Sequence, residues 1–148
     1  MATNNISVTA TDVRPLPGYL SVRLDAGGSL YAGQAVYIGS DGDVVACDAD
    51  AGSLSAVVLG IVVADNNGGT LFTDGDVVDV VYHGRVTGYA SMTPGLVVFA
   101  STLAGQMQQA TTFGTSDYIT EVGIAVTATE ILVRPVSHNG PAEYAAHV

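Results

Sequence analysis

Paired valines restrict the fold of this chain more than any other feature. They stand at Val44-Val45, Val57-Val58, Val62-Val63, Val77-Val78, Val80-Val81 and Val97-Val98. A β-branched side chain loses χ1 freedom in a helix and packs well on a pleated surface. The straight-chain helix formers are scarce: there is no lysine, and glutamate stands only at 121, 130 and 143. Eighteen glycines break the rest into short pieces. Little helix can be built from this material, so the expected class is all-β. At 148 residues the chain is one domain in size, long enough to bury about two-thirds of its unfolded surface without disulfides or metals.

Along the chain, residues 1–17 read as an extended N-terminal arm. Asn4 to Arg14 is polar and threonine-rich, and Pro15 and Pro17 then fix φ and remove two backbone donors. Such a segment is either loose or lies extended along a neighbour. The body, residues 18–136, opens with Leu20, Val22 and Leu24 alternating with Tyr19, Ser21 and Arg23, the period of a half-buried strand. Two near-identical hexapeptides follow, Ser40-Asp41-Gly42-Asp43-Val44-Val45 and Thr73-Asp74-Gly75-Asp76-Val77-Val78. Asp-Gly at both predicts two tight hairpins with positive φ at both central residues, each releasing a strand through its valine pair.

A longer repeat runs through the body. Gly33-Gln34-Ala35-Val36-Tyr37-Ile38-Gly39 answers Gly95-Leu96-Val97-Val98-Phe99-Ala100-Ser101, and the strand around Gly60 answers the one around Gly123. Short strands at near-regular spacing predict a small β-barrel or β-tulip-like body with internal duplication. Glycines 60, 84, 88 and 123, inside strand patterns, predict bends or close backbone approach. The last strand, Glu130 to Arg134, stops at Pro135. Residues 137–148 form a tail in which Pro141 to Ala146 suits one or two helical turns.

The formal charge is −10, opposed only by Arg14, Arg23, Arg85 and Arg134. There is no basic stripe to neutralise phosphates, so no nucleic-acid partner is expected, and an anionic membrane surface would repel the chain. No apolar run approaches the ~18 residues of a spanning helix. The first residues lack the basic and apolar regions of a secretion signal, so the chain is expected to be made and kept in a cytoplasm, or in something assembled there.

No reaction centre emerges from the residue types. Cys47 is alone and reads as a small buried hydrophobe. His138 and His147 fall in the tail. His83 lies in a strand with Asp79 four residues away, which puts both on one face but ~13 Å apart, too far to share a proton or a metal. Asp41, Asp43, Asp48 and Asp50 suggest calcium, but the spacing lacks the terminal glutamate and alternate ligands of a calcium loop. Asp41 and Asp43 are better explained by their turn. Tyr37 and Phe99 hold matching repeat positions and read as core rather than as a stacking platform. No catalytic residue, metal or cofactor is expected.

Several runs carry a family likeness: Ala32 to Gly42, Leu59-Gly60-Ile61-Val62, His83-Gly84-Arg85-Val86-Thr87-Gly88, Met92-Thr93-Pro94-Gly95, Ala100 to Gln106, and Val122-Gly123-Ile124-Ala125. Across roughly residues 18–136 they resemble the small capsid decoration (cement) proteins of tailed bacteriophages. That resemblance implies a homotrimer on the outer capsid surface of the virion, bridging major capsid protein subunits and resisting internal DNA pressure. Family members often bridge with a terminal arm, and residues 1–17 match that role in kind. The competing expectations are another virion component, such as a head fibre base or a receptor- or glycan-binding module, and a β-barrel enzyme or small-molecule binder using His83.

Overall fold

The computed structural model describes residues 5–50, 57–65, 67–109 and 117–141, with side chains as far as Val136. The chain runs through β1 (Ser7–Val8), a single 3-10 turn (Ala10–Asp12), β2 (Arg14–Pro15), β3 (Leu20–Asp25), β4 (Leu30–Tyr31), β5 (Ala35–Ile38) and β6 (Val44–Ala46). It continues through β7 (Gly60–Val63), β8 (Leu71–Phe72), β9 (Val77–Thr87), β10 (Tyr89–Ala90), β11 (Val97–Ala100), β12 (Met107–Gln108), β13 (Tyr118–Ala125) and β14 (Glu130–Pro141). No α-helix occurs among the described residues. The fold is all-β, as the paired valines require, but the last strand does not stop at Pro135: β14 runs on to Pro141, and the proline falls at the register irregularity between the Val133–Gly123 and Val136–Glu121 pairs, where a missing N–H is tolerated.

One sheet dominates. Its order is β12-β11-β13-β14-β9-β7-β5-β6, with β2 and β3 also paired to β9, and it curls into a half-barrel. Two small sheets, β1-β10 and β4-β8, complete it. Neighbouring strands run antiparallel in every ladder. The eleven-residue β9 is the spine, carrying β2, β3, β7 and β14.

The repeat is visible in the register. β5 lies between β6 and β7 as β11 lies between β12 and β13. Val36 pairs with Gly60, and Val98 with Gly123; Ala35 pairs with Ile61, and Val97 with Ile124. The two strand glycines do the same work. A Cβ on Gly60 would run into the carbonyl oxygen of Val81, and one on Gly123 into that of Leu132. Both are places where backbones approach too closely for a side chain.

Hydrophobic burial divides into two clusters. The larger joins Ala35, Ile61, Val63 and Val81 to Val98, Ala100, Val122, Ala125, Ile131 and Val133, and so unites the two repeat units. The smaller lies on the other face of the first unit, with Leu30, Val36, Val44, Val62, Phe72, Val78 and Val80. Along β7 every residue is therefore buried, on both faces. Along β9, Val78 and Val80 face the small cluster while Val81 and Val86 face the large one. A strict two-residue alternation cannot put positions 81 and 86 on one face. Gly84, at φ 123°, lies between them and reverses the parity.

The two Asp-Gly turns differ from expectation and from each other. At both, only the glycine has positive φ, 92° at Gly42 and 89° at Gly75. The first is a hairpin between β5 and β6: Gly39 and Asp43 close it, and the N–H of Gly42 donates to the carbonyl of Gly39. Asp41 accepts the N–H of Asp43 at 3.1 Å, so its carboxylate replaces a second positive-φ residue in shaping the turn. The second is not a hairpin, because β8 pairs with β4 and β9 with β3. The N–H of Gly75 goes to the carbonyl of Ala26, while Asp76 accepts from the backbone and hydroxyl of Thr73. The tight turn is kept, but its two strands part into different sheets.

Candidate functional surface

The residues weighed for chemistry are dispersed. Asp79 is held by Arg23 in an ion pair of 3.1 Å. His83 is exposed and lies opposite Leu20. Cys47 is fully buried, and burial pushes its thiol pKa up, which removes its nucleophilic form. Asp48 accepts the N–H of Asp50, and Asp65 those of Asn67 and Gly69, so these carboxylates serve turns, as Asp41 does. Among the described residues, no three His, Cys, Asp or Glu side chains converge as metal ligands would. Every buried side-chain nitrogen and oxygen there has a hydrogen-bond partner. The side chain of His138, with all of His147 and the expected helical turns of the tail, lies outside the described residues.

Tyr37 and Phe99 hold equivalent positions with different surroundings. Tyr37 packs against the large cluster. Phe99 is half-buried and alternates with Val98 and Ala100, which are the members of its strand in that cluster. It therefore lies on the opposite face of β11, and the expectation that both rings are core holds for Tyr37 alone.

The clearest built feature is a groove that takes residues 5–17. Its floor includes two glycines with positive φ, Gly33 and Gly88, and a third, Gly84, makes the same kind of approach to Tyr19 just beyond the segment. A Cβ at Gly88 would come within 2.7 Å of the Cα of Val13, and one at Gly84 within 2.7 Å of the Cα of Tyr19. At Gly33 it would come within 2.5 Å of a methyl of Val8. Glycine lets the backbones close at Gly84 and Gly88, and at Gly33 it leaves room for the methyl groups of Val8 and Val13. Tyr89 supports the groove from below, donating its buried hydroxyl to the carbonyl of Gly33 at 2.9 Å. Val13 is the embedded anchor at 1% exposure. The sequence pattern flagged Gly84 and Gly88 as close approaches but read Gly33 only as the start of a repeat. Nothing in a polar, threonine-rich stretch singles out Val13.

Charge is unevenly placed. All four arginines lie on β2, β3, β9 and β14, which meet along the spine strand. Arg85 pairs with Glu130 at 3.3 Å across β9 and β14. The turns at residues 25–28, 39–43 and 73–76 meet through the Gly27–Val44 and Gly75–Ala26 hydrogen bonds. They gather Asp25, Asp41, Asp43 and Asp74 at one end. Desolvation first, and then the charges of Asp41, Asp25 and Asp74, raise the pKa of Asp43 from its ordinary value. Clefts open on the surface beside the first strands. One, of about 450 Å³, lies between residues 5–10 and the body, lined by Tyr31, Gln34 and Met107. Another, of about 410 Å³, is lined by Arg14, Tyr19, Arg23, Asp65 and Asp79.

No helix among the described residues is long and apolar enough to cross a membrane. A search among curated proteins finds no match. The sequence model of the XM1 gp53 minor capsid protein family matches residues 1–142, nearly the whole chain. The chain is therefore a phage capsid protein, a structural part of the virion, and belongs to the XM1 gp53 minor capsid protein family.

Proposed function

We propose that the chain is a decoration protein, bound as a homotrimer to the outer surface of the mature shell and bridging major capsid protein subunits. The observation that carries this reading is the minor capsid family match over a chain that folds as a small β body. Such a protein needs adhesion and no catalysis, and many weak contacts repeated on a shell add through effective concentration. The charge of −10 supports an outer position, because a surface of that sign is repelled by packaged DNA. Residues 18–136 are the adhesive body, with residues 1–17 and 137–148 flanking it. The chain is made in the host bacterial cytoplasm and carried on the virion.

Co-sedimentation with shells tests this. Purified protein is expected to sediment as a trimer and to pellet with expanded capsids while staying in the supernatant with immature ones. A monomer that pellets with neither would overturn the proposal. Accessibility to antibody on intact virions distinguishes an outer position from an inner one.

A further inference from the structure

Residues 5–17 are held unequally on the groove. The part from Val13 to Leu16 is anchored: Val13 is buried, β2 pairs with β9, and Leu16 donates to the carbonyl of Arg85 at 2.9 Å. The part from Asn5 to Thr9 rests on strand edges and on the side chain of Ile6, which packs against the large cluster. Ile6 donates to Met107 on β12, β1 pairs with β10 through two residues, and Thr9 donates to Gly88. Asn5 accepts one further bond, from the hydroxyl of Ser101 at 2.6 Å. Ser7, Val8 and Thr9 are exposed, and the cleft of about 450 Å³ lies between this part and the body. Between the two parts stands the 3-10 turn Ala10–Asp12, with no side-chain cap and no buried residue.

From this geometry we infer that residues 5–9 form an exchangeable strand: the edges of β10 and β12 that take this segment from their own chain take it equally from a second copy. Backbone pairing along an edge does not discriminate between chains. The occupant is therefore specified by what already fits, namely Asn5 on Gln108, Ser7 on Ala90 and Val8 on Tyr89. Val13 stays anchored, while Ile6, which packs against the large cluster, leaves with the segment and is replaced by the Ile6 of the second copy. Ser7, which must meet the edge of β10, lies three residues from Ala10 and so reaches at most about 11 Å from it. Exchange in this form needs copies whose grooves lie within that distance, which rests on the proposal that copies stand close together on a shell. At such spacing a neighbour's segment competes with the chain's own at millimolar effective concentration.

Two single-cysteine variants test it. Ser7→Cys and Ala90→Cys are at exposed positions directly opposed in register, so a disulfide between them reports the segment on its edge. Cys47 is buried and does not interfere. The two full-length variants are mixed, oxidised both on shells and at about 1 mM in solution, and mapped for the peptide that joins positions 7 and 90. Expected is a 7–90 cross-link between chains, enriched at least fivefold over 7–7 and 90–90 products. The double variant Ser7→Cys/Ala90→Cys controls folding by closing within one chain in dilute solution. If it closes while the mixture yields no 7–90 product on shells or in concentrated solution, exchange is overturned. If the variants fail to pellet with shells but cross-link in solution, exchange stands and the capsid reading falls. Should the double variant not close, Asn5→Cys with Gln108→Cys repeats the test on the edge of β12, where these two positions are opposed. Absence of a 5–108 interchain product there overturns exchange in the same way.

Discussion

The two repeat units share a register and differ in what covers them. In the first, the row Ala35–Ile61–Val81 lies in the large cluster, and the small cluster covers the other face, so β7 is buried on both sides. In the second, the equivalent row Val97–Ile124–Leu132 is half-buried, and the large cluster takes Val98, Val122, Ala125 and Val133 instead. The same positions that point into the core in one unit point away from it in the other. A duplicated strand pattern thus transmits pairing but not facing. Where a sheet has one solvated face its outward residues are usually polar. Val97, Ile124 and Leu132 are outward and apolar, the residue types their counterparts use for core.

The strand glycines give the largest test of that difference. Gly60→Ala drives a methyl against the carbonyl of Val81 in a unit packed on both faces, where nothing can give way. A loss of about 4 kcal/mol is expected, at the severe end for a single substitution. Gly123→Ala meets the carbonyl of Leu132 in a unit whose outer face is open, so β14 can bow outward. About 2 kcal/mol is expected there. Urea denaturation of both variants measures the gap, and equal losses would show that cover does not control tolerance. The equivalent isoleucines come next. Ile61→Ala leaves a cavity in the closed cluster and should cost about 3 kcal/mol, whereas Ile124→Ala removes a half-exposed side chain and should cost about 1 kcal/mol. If Ile124→Ala is the more damaging in the assembled oligomer alone, its face is covered by a partner there.

Much of this comparison was legible in the residues. The offset from Gly33 to Gly95 anticipates the Val36–Gly60 and Val98–Gly123 pairs, and the valine pairs mark where strands leave their turns. Facing was not legible, because a single irregularity reverses it. The register shifts between Val98 and Phe99, and Gly84 alters the parity of β9, and both follow from how the sheet curls. The second Asp-Gly turn was misread for a related reason. A hexapeptide specifies a bend, but Ala26, distant in sequence, supplies the acceptor that pulls β9 away from β8. The groove for residues 5–17 was legible only in part, since Gly33 and Gly88 converge on Val13 through the fold.

The smallest effect expected is a pH dependence at the seam between the units. Ala49 donates to Ser101 and accepts from Tyr118, so the loop after β6 is tied to the second unit by both of its backbone groups. Asp48 stands beside it. Partial burial, then its contact with the Asp50 carboxyl and the nearby charge of Asp117, hold its pKa up at about 6, above the ordinary 3.8. A carboxyl whose pKa is higher folded than unfolded binds its proton more tightly in the fold. Its contribution is therefore fully present below pH 3.8 and is lost as the pH rises through about 6. Stability should fall between those limits, opposite to a salt-bridged aspartate. Solvent screening at this part-exposed position keeps the change to no more than about 1 kcal/mol. Asp48→Asn should flatten the slope of stability against pH across that window, measured by denaturation at each pH. Because Asp50 and Asp117 approach Asp48 from the two units, a slope that survives the substitution would place the titration elsewhere and leave the seam insensitive to protons.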